Sequence, residues 1–282
     1  MTGLGQFEYS VATTLDHAVR LLSAHPTVHA LAGGNGLLTL LRRGEVTASR
    51  LVDLRKLDEL RGISATGQGR IRVGAMTTLT ELLANPTVRA AHGRGVLGDA
   101  VTLAGDPQTR NRATVGGTLA SAAPGSDLSA ALLALDATAY LIGPRGSRVT
   151  PVADLLNGVA GLGDGELITW IELAPAEPGS AYVRMGNRAT LHALCGVAVT
   201  VAVTDDTINS CRVAVTGAMT YPRRLTDMET AVAGTCAPVT VPEQPTWLFV
   251  SDQNASAPYR AHLTKVLAER AFAAAVNRAR AV

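Results

Sequence analysis

The residue types that could carry chemistry here are glycines, small hydroxyls and one acid, set between apolar runs. Arg112-Ala113-Thr114-Val115-Gly116-Gly117-Thr118-Leu119 is followed by Ser121-Ala122-Ala123-Pro124-Gly125-Ser126-Asp127-Leu128. Such a turn suits a backbone that must come close to a large ligand, because glycine has no Cβ and accepts unusual φ/ψ. Successive unblocked N–H groups in a turn form an anion-binding concavity. A second loop, Ala32-Gly33-Gly34-Asn35-Gly36, stands at the predicted start of a helix. There, free N–H groups and the helix dipole stabilise a phosphate. Each loop alone also fits the simpler reading of a turn after a strand. Together they read as two walls of a nucleotide site.

Other chemistries find little support. Gly93-Arg94-Gly95-Val96-Leu97-Gly98 has the GxGxxG spacing, but no strand precedes it and Asp106 follows too early for a ribose-binding acid. It is expected in a surface loop. Neither GxxxxGK[ST] nor GxSxG occurs, and no Ser, His and Asp arrangement suggests acyl transfer. Asp205-Asp206 is expected in a hairpin turn, where solvated carboxylates are ordinary. Cys195, Cys211 and Cys236 are far apart and lack a CxxC pair, so neither an iron–sulfur cluster nor a structural zinc is expected. They read as three buried thiols in a reducing cytosol. The histidines, His17, His25, His29, His92, His192 and His262, lack ligand spacing, and no metal site is expected.

The elements that must hold these loops follow from hydrophobic periodicity. The chain of 282 residues is 47% hydrophobic and 17% charged, with a formal charge of +2, as in a packed globular protein of more than one domain. Its cations are almost all arginines and are scattered rather than gathered in a stripe, so nucleic acid is not an expected partner. Residues 1–8 lack a basic n-region and an apolar core, and the run at 191–203 is too short and too polar to span a bilayer. A cytoplasmic protein without a membrane partner is expected, and the sequon at Asn254 then has little meaning.

Helical spacing predicts a helix over 15–22, capped by Thr13 or Thr14, with Leu15, Ala18, Val19 and Leu22 on one face. A strand over 28–32, the glycine loop, a helix over 37–43 and a strand over 50–53 form a small α/β unit. Further strands are expected at 70–74, 138–142 and 167–173, with helices at 78–84, 98–104 and 128–135. Residues 175–178 read as a linker. Beyond it come longer strands at 182–184, 196–203 and 210–216, then helices at 228–233 and 259–280 whose apolar stripe should cover the sheet.

In this order the motifs resemble the FAD-binding, or medium, subunit of molybdenum hydroxylases of the carbon monoxide dehydrogenase and xanthine dehydrogenase type. The resemblance covers nearly the whole chain. It runs through Phe7-Glu8-Tyr9, the segment 31–38, Leu51-Val52-Asp53-Leu54, Leu60-Arg61-Gly62-Ile63, Gly74-Ala75-Met76-Thr77-Thr78 and 107–117. Beyond the linker it includes Tyr221-Pro222-Arg223-Arg224 and Ser256-Ala257-Pro258-Tyr259-Arg260. It implies an α+β fold: a two-subdomain FAD-binding domain of the p-cresol methylhydroxylase type, followed by an α+β C-terminal domain with an antiparallel sheet and helices. The expected boundaries are 1–57, 58–175 and 176–282.

The resemblance also implies a site. Ala32, Gly33, Gly34, Asn35 and Gly36 would hold the FAD pyrophosphate through backbone N–H groups, with Thr114, Gly117 and Thr118 on the phosphate and ribityl portion. Ser126 and Asp127 would reach adenosine or ribityl hydroxyls, Ile168 would pack near the flavin ring, and Arg184 stands where the family usually has lysine. Gly36 and Thr118 depart from the family, which carries an acid or hydroxyl at the first position and asparagine at the second.

Two functions follow from that likeness. In the first, the chain is the electron-transfer flavoprotein of a complex whose molybdopterin and iron–sulfur subunits deliver electrons to its FAD for a small-molecule acceptor. In the second, it is a stand-alone FAD-dependent oxidase or monooxygenase, a homodimer if alone, acting directly on a small metabolite substrate. A non-catalytic module without flavin is the third. Flavin chemistry needs no side-chain acid or base, and the sequence offers none.

Overall fold

Three sheets organise the chain in sequence order. The structure, a computed structural model, describes residues 6–157, 161–187 and 191–281. The first sheet is built from β1 (Glu8–Val11), α1 (Leu15–Leu22), β2 (Val28–Leu31), α2 (Asn35–Arg43) and β3 (Arg50–Asp53). Its strands are parallel in the order β1-β3-β2, which helical crossovers make accessible. Thr14 caps α1 by accepting from the His17 N–H, and Ala18, Val19 and Leu22 are buried. Strand β1, formed by the segment around Tyr9, has no clear periodic signal and was not expected as a strand. It is held by pairing to β3.

The second sheet opens with β4 (Ile63–Ala65) and β5 (Ile71–Gly74) and closes much later with β6 (Thr138–Gly143), β7 (Gly146–Pro151) and β8 (Leu167–Leu173). All its pairings are antiparallel, in the order β4-β5-β8-β6-β7. Between β5 and β6 runs a helical layer: α3 (Leu79–Ala84), α4 (Pro86–His92), α5 (Val96–Leu103), α6 (Pro107–Arg112), α7 (Val115–Ala120) and α8 (Asp127–Ala134). The short α9 (Val152–Leu156) follows β7. Helices α4 and α6 are too short for periodicity to reveal. Local chemistry makes them: Asn85 and Asp106 each cap the first turn, and a proline stands at its start.

This layer corrects the expectation for the GxGxxG segment. It is not a surface loop but the junction of α4 and α5, with Gly95 to Gly98 buried. A Cβ at Gly98 would collide with the Gly93 carbonyl oxygen, so the glycines serve close helix contact.

The third sheet comprises β9 (Gly179–Gly186), β10 (Ala193–Thr204), β11 (Thr207–Thr216) and β12 (Arg223–Arg224), antiparallel in the order β12-β11-β10-β9. Asp205 and Asp206 form the expected β10–β11 turn, both at positive φ (49° and 63°), as a two-residue hairpin requires. Two helices complete the chain, α10 (Thr226–Val232) and α11 (Ala257–Arg280).

Side chains alternate across this sheet with period two. Ala181, Val197, Val199, Val213 and Val215 share a core with Leu267, Ala271 and Phe272 of α11. Tyr182, Ala198 and Ala214 face the other way, into the core of the helical layer. The sheet is therefore covered on both faces, by α11 and by α5 and α8. Polar ties reinforce the second contact: Val96 N–H to Ser180 Oγ (3.2 Å), Thr200 Oγ1 to the Ala134 carbonyl (3.1 Å) and Thr216 Oγ1 to the Pro124 carbonyl (2.7 Å).

The cysteines differ from expectation: Cys195 is buried, Cys211 partly buried and Cys236 exposed. Burial pushes the Cys195 thiol up to about 11. No helix among the described residues is long and apolar enough to cross a membrane.

Candidate functional site

At the N-terminus of α2 the backbone must turn through a left-handed conformation, and Gly34 supplies it at φ 81°. Among the described residues, the N–H groups of Gly33, Gly34, Asn35 and Gly36 donate to no protein acceptor. Free donors at the positive end of a nine-residue helix suit an anion. Asn35 and Gly36 are exposed, so solvent or ligand can reach them.

The second loop lies directly against the first. Arg112 donates from Nε and Nη2 to the Gly33 carbonyl at 3.2 and 3.0 Å. A Cβ at Gly33 would collide with the Arg112 carbonyl oxygen, and one at Gly117 would stand 3.5 Å from the Ala32 Cβ. The two loops far apart in sequence thus meet, as a shared site needs.

Beside that meeting point is a cleft of about 290 Å³, lined by Tyr9, Leu31, Ala32, Gly33, Asp53, Arg55, Arg61, Met76, Thr78, Asn111, Arg112 and Thr114. Its charges are ordered. Asp53 accepts from the Tyr9 hydroxyl and pairs with Arg55 Nε at 2.7 Å. Tyr9, first, and Asp53 hold the Arg55 guanidinium above its ordinary range. Arg61 and Arg112 have no carboxylate within ion-pair distance among the described residues. The cleft therefore presents uncompensated positive charge next to free N–H donors.

The Thr114 segment departs from expectation. It is not an open turn but the start of α7, and its N–H groups are spoken for within the protein. Val115 N–H donates to the Thr77 carbonyl, Gly116 N–H to the Ala75 carbonyl and Gly117 N–H to Thr114 Oγ1. The Thr118 N–H donates to the Thr114 carbonyl. The anion-binding concavity predicted here does not exist. Its glycines serve packing instead, since a Cβ at Gly116 would meet Ala75. The free donors lie in the other loop.

The remaining expected residues, Ser126, Asp127, Arg184 and Ile168, lie outside the cleft's lining. Ser126 caps α8, its hydroxyl accepting from the Ser129 N–H and hydroxyl. Asp127 is 4% exposed and accepts from the Tyr182 hydroxyl and, at 2.8 Å, from Arg184 Nη1. Burial raises the Asp127 carboxyl against the opposing pull of these two partners. Arg184 also donates to the Leu191 carbonyl at 3.0 Å. Ile168 is buried in the core of the helical layer, opposite Leu141 on β6.

Tyr9, Asp53, Arg55, Arg61, Met76, Thr78, Asn111 and Arg112 were not predicted as site residues. A signal existed: all of them except Arg55 lie in the segments that carried the resemblance without an assigned role, and Arg55 directly follows one of them. What sequence could not supply was their convergence, which β1, β3, β5 and α6 bring about.

Comparisons with known proteins find similarity along nearly the whole chain. Residues 5–176 match the family profile described as the FAD binding domain in molybdopterin dehydrogenase, and residues 180–275 match the CO dehydrogenase flavoprotein C-terminal domain. The chain is 29% identical to the glyceraldehyde dehydrogenase medium chain of Sulfolobus acidocaldarius, over 95% of this chain and 97% of that one. It is 30% identical to the 6-hydroxypseudooxynicotine dehydrogenase complex subunit alpha of Paenarthrobacter nicotinovorans, over 97% and 96%. Among solved structures it is similar to the carbon monoxide dehydrogenase of Hydrogenophaga pseudoflava that lacks the Mo-pyranopterin moiety. There the TM-score is 0.88 at 28% identity, covering 97% of this chain and 98% of that one.

Proposed function

This chain belongs to the FAD-binding medium-subunit family of molybdopterin dehydrogenases, and we propose that it works only as one part of a complex with a molybdopterin-bearing chain and an iron–sulfur chain. It is an FAD-dependent oxidoreductase subunit. When bound, FAD supplies the two-electron redox chemistry, and the protein's task is to hold, orient and screen it. The observation that carries the complex is the matched length. Full-length relatives are named as a medium chain and as a complex subunit, and this chain spans 97% and 96% of them. The stand-alone oxidase or monooxygenase reading loses its support for the same reason.

The residues fit the cofactor's anionic centre. The N–H groups of Gly33, Gly34, Asn35 and Gly36, with Ala32 beside them, would hold the pyrophosphate. Thr114, Gly117 and Thr118 would bound the ligand by shape rather than by backbone donors. Ser126, Asp127 and Arg184 would form the polar end toward the ribityl or adenosine hydroxyls, with Ile168 contributing to an apolar wall. Asp127 would then have to share its carboxylate with Tyr182 and Arg184. The proposed compartment is the cytoplasm, where free thiols such as Cys195, Cys211 and Cys236 persist.

Purification of the tagged chain from its own cells tests the complex. The expected result is co-elution with a molybdopterin chain and an iron–sulfur chain, and flavin bleaching only when both are present. A monomer or homodimer that turns over a metabolite with its own FAD would overturn it.

A further inference from the structure

The cleft that meets the α2 N-terminus contains three arginines, and they are not equivalent. Arg55 is matched by Asp53 and held by Tyr9. Arg112 spends two donors on the Gly33 carbonyl, which leaves its charge unmatched but its guanidinium fixed in place. Arg61 has neither constraint. Among the described residues its guanidinium makes one long hydrogen bond, from Nη2 to the Arg55 carbonyl at 3.4 Å.

The backbone beneath Arg61 is nonetheless rigid. The Leu60 carbonyl accepts from the Met76 N–H and the Gly62 carbonyl from the Gly74 N–H, both at 2.8 Å, while the Arg61 N–H donates to the Asp58 carbonyl. A Cβ at Gly74 would collide with the Leu60 carbonyl oxygen, so β5 is pressed against this corner. A cation on a fixed root, half-buried and unpaired, thus stands in the same cleft as Gly33. Keeping an unpaired charge half out of water is costly unless an anion meets it.

We infer that Arg61 and Arg112, both in the wall of this cleft, are the cation pair that neutralises the diphosphate of the bound dinucleotide, Arg61 by direct contact and Arg112 while it also positions Gly33. This rests on the FAD reading. The charge count agrees: Asp53 cancels Arg55, and the two unmatched cations face a diphosphate diester whose phosphates carry one negative charge apiece. Arginine suits the role because its guanidinium forks onto phosphate oxygens.

The test compares wild type with Arg61→Gln and Arg61→Lys, using Arg89→Gln on the exposed face of α4 as a charge control. Apo full-length chain is titrated with FAD, ADP and riboflavin. Arg61→Gln should weaken FAD and ADP by the same factor, about ten- to a hundredfold for a lost charged hydrogen bond. Riboflavin should bind unchanged, the salt dependence of FAD binding should shrink, and Arg61→Lys should recover part of the loss. Arg89→Gln should match wild type. Equal FAD and ADP affinity in Arg61→Gln and wild type overturns this inference alone. Wild type that takes up no FAD overturns the cofactor reading and this one with it. Should Arg61→Gln fail to fold, wild-type chain is treated with an arginine-modifying dicarbonyl and mapped by peptide mass. ADP should protect Arg61, adenosine should not, and Arg89 should react throughout; modification of Arg61 at the same rate with and without ADP overturns the inference.

Discussion

At the scale of single residues, the site is decided by which glycines lack a Cβ for reasons of space. Gly33 abuts the Arg112 backbone, a neighbour that cannot rotate away, so Gly33→Ala must push the two loops apart. Overpacking of this kind costs about 1–3 kcal/mol. The variant is expected to show both a lowered Tm and weakened FAD binding by titration. Gly36 is the contrast. A Cβ there meets nothing within 4 Å, and Gly36→Ala should leave Tm unchanged or raise it through helix propensity. If Gly33→Ala and Gly36→Ala behave alike, the loop contact is not what shapes the site. Sequence alone could recognise both as glycines of a phosphate loop. It could not say which one touches Arg112, because that contact joins residues far apart in the chain.

At the scale of elements, the helical layer decides what the second glycine loop can do. Thr114 accepts from the Gly117 N–H and so starts α7 while standing in the cleft wall. Thr114→Val keeps the shape and removes the cap, at a cost of about 1 kcal/mol. The expected signature is a modest fall in Tm, with a larger loss of FAD than the fall in stability explains; unchanged FAD affinity would separate the cap from the site. The α4–α5 corner has a titratable group of its own. His92 is 3% exposed with Nε2 unpartnered, and burial holds its imidazole below the ordinary value near 6.5. The folded state therefore binds fewer protons than the unfolded one below that pH. Its stabilising preference is complete above pH 6.5 and is lost as pH falls toward the depressed folded value. His92→Leu should flatten the decline of Tm below pH 6.5, and a decline as steep as wild type would remove His92 as its cause. Helices α1 and α11 could be read from the spacing of their apolar residues, and α8 from its apolar run after Asp127. The short helices α4, α6 and α7 could not, since caps and prolines rather than apolar stripes create them.

For the whole molecule, the order of segments carried more than any one motif. The change to long strands beyond residue 175 matched a third sheet sandwiched between α11 and the α5–α8 face. The antiparallel order β4-β5-β8-β6-β7 was not legible, because it closes across a helical layer of more than sixty residues with no local trace in sequence. Nor was the convergence at the cleft legible: Tyr9 and Asp53 come from the paired strands β1 and β3 of the first sheet, Arg61 from the segment before β4 and Arg112 from the end of α6. The central claim is that this cleft and the α2 N-terminus hold one FAD per chain. Equilibrium titration of purified full-length apo chain with FAD tests it most directly. The account predicts saturable binding at one FAD per chain that Gly33→Ala weakens; a wild-type chain that stays colourless and takes up no FAD would contradict it.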